Sequence, residues 1–160
     1  MSIYLKHFGL AREPFSIVPD PGFLYPSNHH RQAVAHLKYG LDREGGFILL
    51  TGEVGTGKTT LTRTMLKRLP AHVRVAYVLN SKLKVTDALA SICHELGIEL
   101  PSTRGLSFSK ICIDALNQDL LQAHAEGKKT LIVIEEAQNL SAEVLETLRL
   151  LSNLETHTHK

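Results

Sequence analysis

The sequence has 160 residues, of which 43% are hydrophobic and 21% charged, with a formal net charge of +2. This composition is typical of one globular domain and excludes a disordered, collagen-like or coiled-coil chain. No apolar run approaches the roughly 18 residues of a membrane span, the first residues lack a signal-peptide core, and the small net charge argues against a nucleic-acid binder. With two cysteines, the chain fits a reducing compartment, and we predict a soluble, cytoplasmic protein.

The first 45 residues are predicted to form a distinct N-terminal packing segment that ends in a helix. Four of the six prolines precede residue 45, as do four aromatic residues that we expect to anchor extended chain onto the domain: Phe8, Phe15, Phe23 and Tyr25. The predicted helix covers about His30–Leu41 and ends before Gly45-Gly46. Its expected apolar face consists of Ala33, Val34, Leu37 and Leu41.

Residues 46–160 alternate between short apolar runs and amphipathic stretches. The predicted strands are Phe47–Thr51, Val73–Leu79 and Leu131–Ile134. The predicted helices are Thr59–Leu69, Thr86–Glu95 with Gly97 as its stop, Ser107–Ala125, and one that Ser141 caps and that runs to about Leu151. Strands that are apolar throughout are typical of a parallel sheet with helices on both faces, so we predict a three-layer α/β fold. Cys93 and Cys112 fall within the helices and are expected to be small buried hydrophobes.

A glycine-rich stretch between the first predicted strand and its helix matches the phosphate-binding pattern G-x-x-x-x-G-K-[ST]. Its glycines allow the backbone N–H groups to point at phosphate oxygens, and the following helix directs its positive end at the same anion. Lys58 is expected to reach the β- and γ-phosphates, and the Thr59 hydroxyl to ligate Mg²⁺. A chance glycine-rich turn is the alternative, which the position between strand and helix disfavours. The predicted nucleotide-binding residues are Gly52, Glu53, Val54, Gly55, Thr56, Gly57, Lys58, Thr59 and Thr60.

Two acids follow the apolar run Leu131–Ile134, as in the second motif of nucleotide hydrolases. The first, Glu135, is predicted to support Mg²⁺ through its water shell, and the second, Glu136, to polarise the attacking water. Glu136 and Lys58 are therefore the predicted catalytic residues. Carboxylates on a solvated sheet rim are the alternative reading of the same pair. Two adjacent acids, and no guanine-reading N-K-x-D motif, favour ATP over GTP.

Beyond these motifs, the whole sequence resembles the ExeA/GspA-type general secretion ATPases of the AAA+ class, with MSHA-type pilus biogenesis ATPases as near relatives. The similar stretches are Phe8-Gly9-Leu10, Pro14-Phe15, Pro19-Asp20-Pro21, Phe23-Leu24-Tyr25, His30, Ala35-His36-Leu37, Thr51–Thr60, Glu136–Ser141 and Leu148–Thr156. The resemblance implies a homo-oligomeric ATPase that powers assembly of an envelope-spanning secretion or pilus machine. It further implies a membrane-anchored B-type partner and peptidoglycan, reached at the inner-membrane face. The small net charge, by contrast, is the reason to expect no nucleic-acid partner.

The sequence departs from that family in two places. The family usually has Asp where this chain has Glu135, and the extra methylene alters the distance to an octahedral Mg²⁺ shell. The family also continues beyond the position of Lys160 with a sensor strand, an arginine finger and a helical lid, and its strand order places the next strand between the two motif strands. We therefore hypothesise a fragment of a longer ATPase, in which ATP binding is better supported than turnover.

Two other functions share these motifs. A DNA-transaction ATPase, such as a transposition helper, would bind DNA in a salt-sensitive manner, which the modest net charge disfavours. A subunit that binds nucleotide without hydrolysing it is the second alternative. The role of His30 is also open at this point, between an adenine contact and simple packing.

Overall fold

The computed structural model describes residues 3–13, 22, 25–43, 46–79, 84–101 and 107–153. The α-helices are α1 (Ile3–His7), α2 (Asn28–Asp42), α3 (Lys58–Leu66), α4 (Val85–Leu96), α5 (Phe108–Ala125) and α6 (Ala142–Ser152). The strands are β1 (Val73–Val78) and β2 (Lys129–Ile134), and a short 3-10 turn follows at Ala137–Asn139. Within these residues, no helix is both long and apolar enough to cross a membrane.

The chain divides into two compact units. The first contains Met1–Leu41 and Ile48–Leu69, and the second contains Asp42–Phe47 and Pro70–Lys160. The first unit therefore carries the glycine-rich loop, whereas the second carries the sheet and the acidic pair. The prediction of one domain over residues 1–160, with a boundary near residue 45, stays a prediction.

In the first unit, α2 confirms the helix predicted from the spacing of apolar residues. Leu37 is buried, and the other members of the predicted apolar face are half-buried. Gly40 allows a close approach to the Ile48 side chain, because a Cβ atom at this position would overlap it. The helix α3 buries Leu61 and Met65 in the same unit.

The aromatic anchors predicted for the N-terminal segment are wrong where the structure describes them. Phe8 is 69% exposed and Tyr25 is 81% exposed. The five-residue helix α1 also buries none of its residues, and its Ile3 is 91% exposed, so α1 does not pack on these rings to cover them. The remaining residues of that pattern, Pro14-Phe15, Pro19-Asp20-Pro21 and Phe23-Leu24, lie outside the described residues, as do Leu154–Thr156.

The second unit is built on two parallel strands. Along its whole length β1 pairs with β2, from Val73 opposite Lys129 to Val78 opposite Ile134. Helix α4 packs on β1 and also contacts α5 and α6, while α5 packs on β2. The buried core of this unit consists of Ala76, Val78, Ala88, Leu89, Ile92, Cys93, Cys112, Leu116, Val144, Leu148 and Leu151. The predicted α/β class and the strands near Val73–Leu79 and Leu131–Ile134 are thereby confirmed.

The prediction of a strand at Phe47–Thr51 is wrong. Its residues are not part of any strand in the described chain, and the sheet there contains only β1 and β2. An apolar run becomes a strand only when its backbone N–H and C=O groups pair with a neighbour, and no described segment pairs with this one. Ile48 and Leu49 are accordingly 43% and 78% exposed.

Two helix ends in the second unit lie where the sequence predicts them, one at a glycine and one at a serine cap. Gly97 ends α4 in the left-handed region with φ of 71°, where a side chain would be strained. The Ser141 hydroxyl accepts a hydrogen bond from the Val144 N–H at 3.3 Å and caps α6. These two boundaries are set by single residues, which is why they can be read from sequence.

The two cysteines are buried, as predicted. Cys93 and Cys112 are both fully inaccessible, and both are free thiols. Burial, reinforced by the neighbouring Cys112, raises the pKa of Cys93 to about 12. Both side chains therefore act as packing groups between α4 and α5 rather than as nucleophiles.

Truncating Leu116 tests this core. Leu116 is fully buried in α5, so Leu116→Ala removes apolar contacts and leaves a cavity. We expect a loss of about 2–5 kcal/mol in the free energy of unfolding, measured by urea denaturation. Leu121→Ala on the same helix, where the side chain is 45% exposed, is the matched control and should cost well under half as much. Equal losses would contradict the assigned core.

Candidate nucleotide-binding site

The glycine-rich loop is exposed and leads directly into the first turn of α3. Gly55 and Gly57 both have positive φ, 82° and 85°, so each occupies a conformation that side chains disfavour. The turn from Glu53 to Thr56 is closed by the Thr56 hydroxyl, which donates to the Glu53 carbonyl oxygen at 2.8 Å. A Cβ atom at Gly52 would lie only 3.0 Å from that Thr56 hydroxyl. The backbone thus favours glycine at Gly55 and Gly57, and a side chain at Gly52 would make the Thr56 hydroxyl shift.

Lys58 lies against the backbone of this loop. Its Nζ donates to the carbonyl oxygens of Gly52 and Glu53, each at 2.8 Å. A lysine ammonium is a compact point charge that binds phosphate well. The fold therefore brings one full positive charge to the place where the motif predicts phosphate.

The start of α3 adds a second source of positive potential. Gly57 is the residue that precedes the helix, and it has no side chain with which to cap the first turn. The Leu61 N–H donates to the Gly57 carbonyl oxygen at 2.8 Å, so the first turn of α3 begins directly at the end of the loop. Thr59 and Thr60 lie in this turn and are half-buried. A helix start of this kind favours an anion.

His30 reaches the same loop from α2. Its Nε2 lies 2.9 Å from the Thr56 carbonyl oxygen, although the two residues are 26 positions apart. Its Nδ1 lies 2.9 Å from the Ser27 hydroxyl and 3.1 Å from the Tyr25 carbonyl oxygen. The side chain whose role the sequence left open therefore makes its hydrogen bonds to the loop backbone and to residues 25–27.

The acidic pair follows β2 in the second unit. The Glu135 N–H donates to the Val78 carbonyl at 3.1 Å, which extends the β1–β2 ladder by one bond. The Glu135 carboxylate accepts a hydrogen bond from the Tyr77 hydroxyl. Tyr77 is opposite Val133, and Glu135 lies two residues further on, so both side chains project from the same face of the sheet. Tyr77 thereby fixes the carboxylate that is predicted to support Mg²⁺.

Glu136 has an unusual backbone. Its φ is 55°, the one positive value for a residue other than glycine in the described chain. The side chain is exposed, and its Oε2 accepts a hydrogen bond from Gln138 Nε2 at 2.6 Å. Non-glycine residues held in the left-handed region cost of order 1 kcal/mol or more and are concentrated at functional sites. The conformation turns this carboxylate away from the line of β2 and towards solvent.

The predicted site residues thus form two groups. Gly52, Glu53, Thr56, Gly57 and Lys58 are joined by direct contacts or bonds in the first unit, where Val54 is fully exposed at the loop tip. Glu135 and Glu136 are adjacent in the second unit. Sequence reasoning missed the bonds made by Tyr77 and Gln138, since the first depends on strand register and the second on a local turn that no apolar pattern marks.

The oxygen donors suit Mg²⁺. A threonine hydroxyl and a carboxylate are ligands that this hard cation prefers, and it usually keeps several waters and binds through substrate phosphates. No cluster of three or more histidine, cysteine, aspartate or glutamate side chains occurs in the part of the chain that the structure describes.

Residues 41–160 match the AAA domain family, and the chain belongs to that family, with its α/β P-loop NTPase fold. It is 48% identical over 158 residues to General secretion pathway protein A of Aeromonas hydrophila, an alignment that covers 99% of this chain and 28% of that protein. It is also 32% identical over 103 residues to ATP-dependent target DNA activator B of Escherichia phages Mu and D108, covering 64% of this chain and 30% of each activator. No solved structure gives a significant match.

These comparisons confirm the resemblance read from the sequence to the general secretion family. The chain nevertheless spans under a third of the length of each of these relatives.

Proposed function

We propose that this chain binds Mg²⁺·ATP at the glycine-rich loop and hydrolyses it, as the nucleotide-binding module of a general secretion or pilus assembly ATPase. The observation that carries the proposal is the position of Lys58, held by two loop carbonyls at the start of an uncapped helix. A charge, a ring of loop amides and a helix start then act on the same anion. Gly52 to Thr60 would form the cradle for the triphosphate.

Each side chain has one part in this mechanism. Lys58 neutralises the β- and γ-phosphates, and the loop amides orient them for in-line attack. Thr59 and Glu135 are the residues that would hold Mg²⁺, and the cation would supply positive charge to the phosphate oxygens. Glu136 orients the attacking water and accepts its proton. In an oligomer, a neighbouring subunit would supply an arginine to the transferred phosphate.

The secretion assignment rests on similarity over nearly the whole chain. The relative with 48% identity is named as a general secretion pathway protein, and its alignment includes the segment before the AAA match as well as the loop. We propose the same setting here: a homo-oligomer at the inner-membrane face, coupled to a membrane-anchored B-type partner and peptidoglycan. The expectation that no nucleic acid is bound belongs to this proposal.

Calorimetry and phosphate release test the proposal directly. Titration with ATP and with GTP, each with Mg²⁺, should show a Kd for ATP in the micromolar range, which corresponds to about −8 kcal/mol, and weaker binding of GTP. Phosphate release should require both ATP and Mg²⁺. No heat of binding at millimolar ATP would overturn the proposal.

A DNA-transaction ATPase is the second candidate, since the similarity to the two phage target DNA activators favours it. Fluorescence anisotropy with a labelled DNA duplex at increasing salt distinguishes a DNA-transaction ATPase from a secretion ATPase. A DNA-binding ATPase should bind in the presence of ATP, with affinity that falls steeply as salt rises. The net charge of +2 supports the secretion assignment, for which no salt-dependent binding is expected.

Glu135 provides a test of the metal assignment. Because the carboxylate is proposed to act through the water shell of Mg²⁺, Glu135→Gln should raise the Mg²⁺ concentration for half-maximal hydrolysis by about tenfold. Binding of ATP without Mg²⁺ should not change. Glu143→Gln, an exposed position on α6 with the same change in charge, is the control. An unchanged Mg²⁺ requirement in Glu135→Gln would remove Glu135 from the metal site.

A further inference from the structure

The imidazole of His30 joins the beginning of α2 to the glycine-rich loop. A carbonyl oxygen can only accept, so Nε2 must carry the hydrogen that it donates to Thr56. On the other side of the ring, Nδ1 lies 2.9 Å from the Ser27 hydroxyl and 3.1 Å from the Tyr25 carbonyl oxygen. The His30 backbone is fixed as well, because its N–H lies 3.2 Å from the Ser27 hydroxyl oxygen at the start of α2. Residues 25–27 therefore hold the Nδ1 edge of the ring, and the Nε2 edge faces the loop.

The bond to Thr56 determines the direction of a neighbouring amide. In a planar trans peptide, the C=O of one residue and the N–H of the next point in opposite directions. Anchoring the Thr56 carbonyl on His30 therefore aims the Gly57 N–H away from α2. The Thr56 hydroxyl is bonded to the Glu53 carbonyl on the other side, so this residue is held by its side chain and its carbonyl together.

Gly57 lies between the Thr56 carbonyl that contacts His30 and the first turn of α3. Its φ of 85° is accessible to glycine, and a Cβ atom there would come within 3.4 Å of His30 Nε2. The same residue precedes the helix α3, whose start is proposed to bind phosphate. A rotation of the Thr56–Gly57 peptide would replace the N–H at this point by a carbonyl oxygen, which repels phosphate.

We propose that His30 is a positioning residue for the glycine-rich loop: its hydrogen bond to the Thr56 carbonyl fixes the Thr56–Gly57 peptide with the Gly57 N–H directed at the phosphate. The inference rests on the proposed nucleotide site and deepens it, since it makes the loop depend on the segment at residues 25–30. His30 acts through the backbone and need not touch the nucleotide.

Two near-isosteres separate this role from a structural one. The glutamine amide reaches the position of Nε2, whereas the asparagine amide reaches only that of Nδ1. His30→Asn should raise the Kd for Mg²⁺·ATP by about five- to tenfold, the effect of one net hydrogen bond, while His30→Gln stays within about twofold of the unsubstituted protein. His29→Asn, at the exposed neighbouring position of α2, is the matched control and should not alter the Kd.

The mobility of the Gly57 amide in the nucleotide-free protein gives a readout independent of ATP. The order parameter of the Gly57 N–H, measured by 15N relaxation, should fall from about 0.85 to below about 0.6 in His30→Asn if the peptide is released, and should change little in His30→Gln. An unchanged order parameter and Kd in His30→Asn would overturn the inference, as would equal losses in both variants that follow a common fall in Tm. If the unsubstituted protein fails to bind ATP, the proposed function is wrong, and the order parameters still decide whether His30 fixes the loop.

Discussion

Glu136→Gln is expected to lower kcat for ATP hydrolysis by about 100-fold to 10,000-fold, the usual contribution of a general base. The amide keeps the size of the side chain but cannot take a proton from water. Glutamine is no more strained than glutamate at a φ of 55°, so the turn after β2 should persist. The Kd for Mg²⁺·ATP should therefore stay within about twofold, because the phosphate contacts lie in the loop.

Single-turnover phosphate release, with Kd measured by calorimetry, separates chemistry from binding in this variant. Glu143→Gln carries the same chemical change at an exposed position of α6 and should hydrolyse ATP at the normal rate. Hydrolysis that continues unchanged in Glu136→Gln would assign the base to another residue. Hydrolysis absent from the unsubstituted protein, with ATP still bound, would favour the subunit that binds nucleotide without turnover.

Lys58→Ala should raise the Kd for Mg²⁺·ATP by about 10- to 100-fold, because a hydrogen bond to a charged group contributes about 1.5–3 kcal/mol. In the structure the Lys58 ammonium is 2.8 Å from two loop carbonyls, and alanine removes both contacts together with the charge. The loop should lose part of its order as well as its cation. Calorimetry at low and moderate salt measures the loss, which screening should reduce at the higher concentration.

The control for this prediction lies at the other end of the same helix. Lys67→Ala removes an equal charge from an exposed position at the end of α3, where no phosphate contact is proposed. Its Kd should match that of the unsubstituted protein. Equal losses in the two variants would show a general effect of net charge, and no loss in Lys58→Ala would mean that the loop is not the phosphate site.

Features that depend on consecutive residues were predictable from the sequence. The glycine-rich loop, the stop at Gly97 and the cap at Ser141 each depend on a few neighbouring positions, and all were found at or near the predicted place. The apolar run Phe47–Thr51 had the same local signature as β1, yet it forms no strand. Strand formation requires a partner, which is a property of the fold rather than of the run itself.

Contacts between distant positions were not predictable in the same way. His30 and Thr56 are 26 residues apart, and Tyr77 and Glu135 are 58 apart. Each pair depends on how two elements pack or on the register of two strands, which the local pattern does not contain. The exposure of Phe8 and Tyr25 could not be predicted for the same reason. An aromatic residue can be buried only where another element packs against it, and the local sequence does not show that element.

The rate at which the two buried thiols react can be used to measure local opening of the second unit. Alkylating reagents attack the thiolate, and burial suppresses both access and ionisation at Cys93 and Cys112. Modification then proceeds only from conformations in which α4 and α5 have separated, so its rate follows the population of those conformations. The cysteines lie outside the first unit, and ATP-dependent protection of these thiols would therefore measure how far nucleotide binding at the loop stabilises the sheet unit.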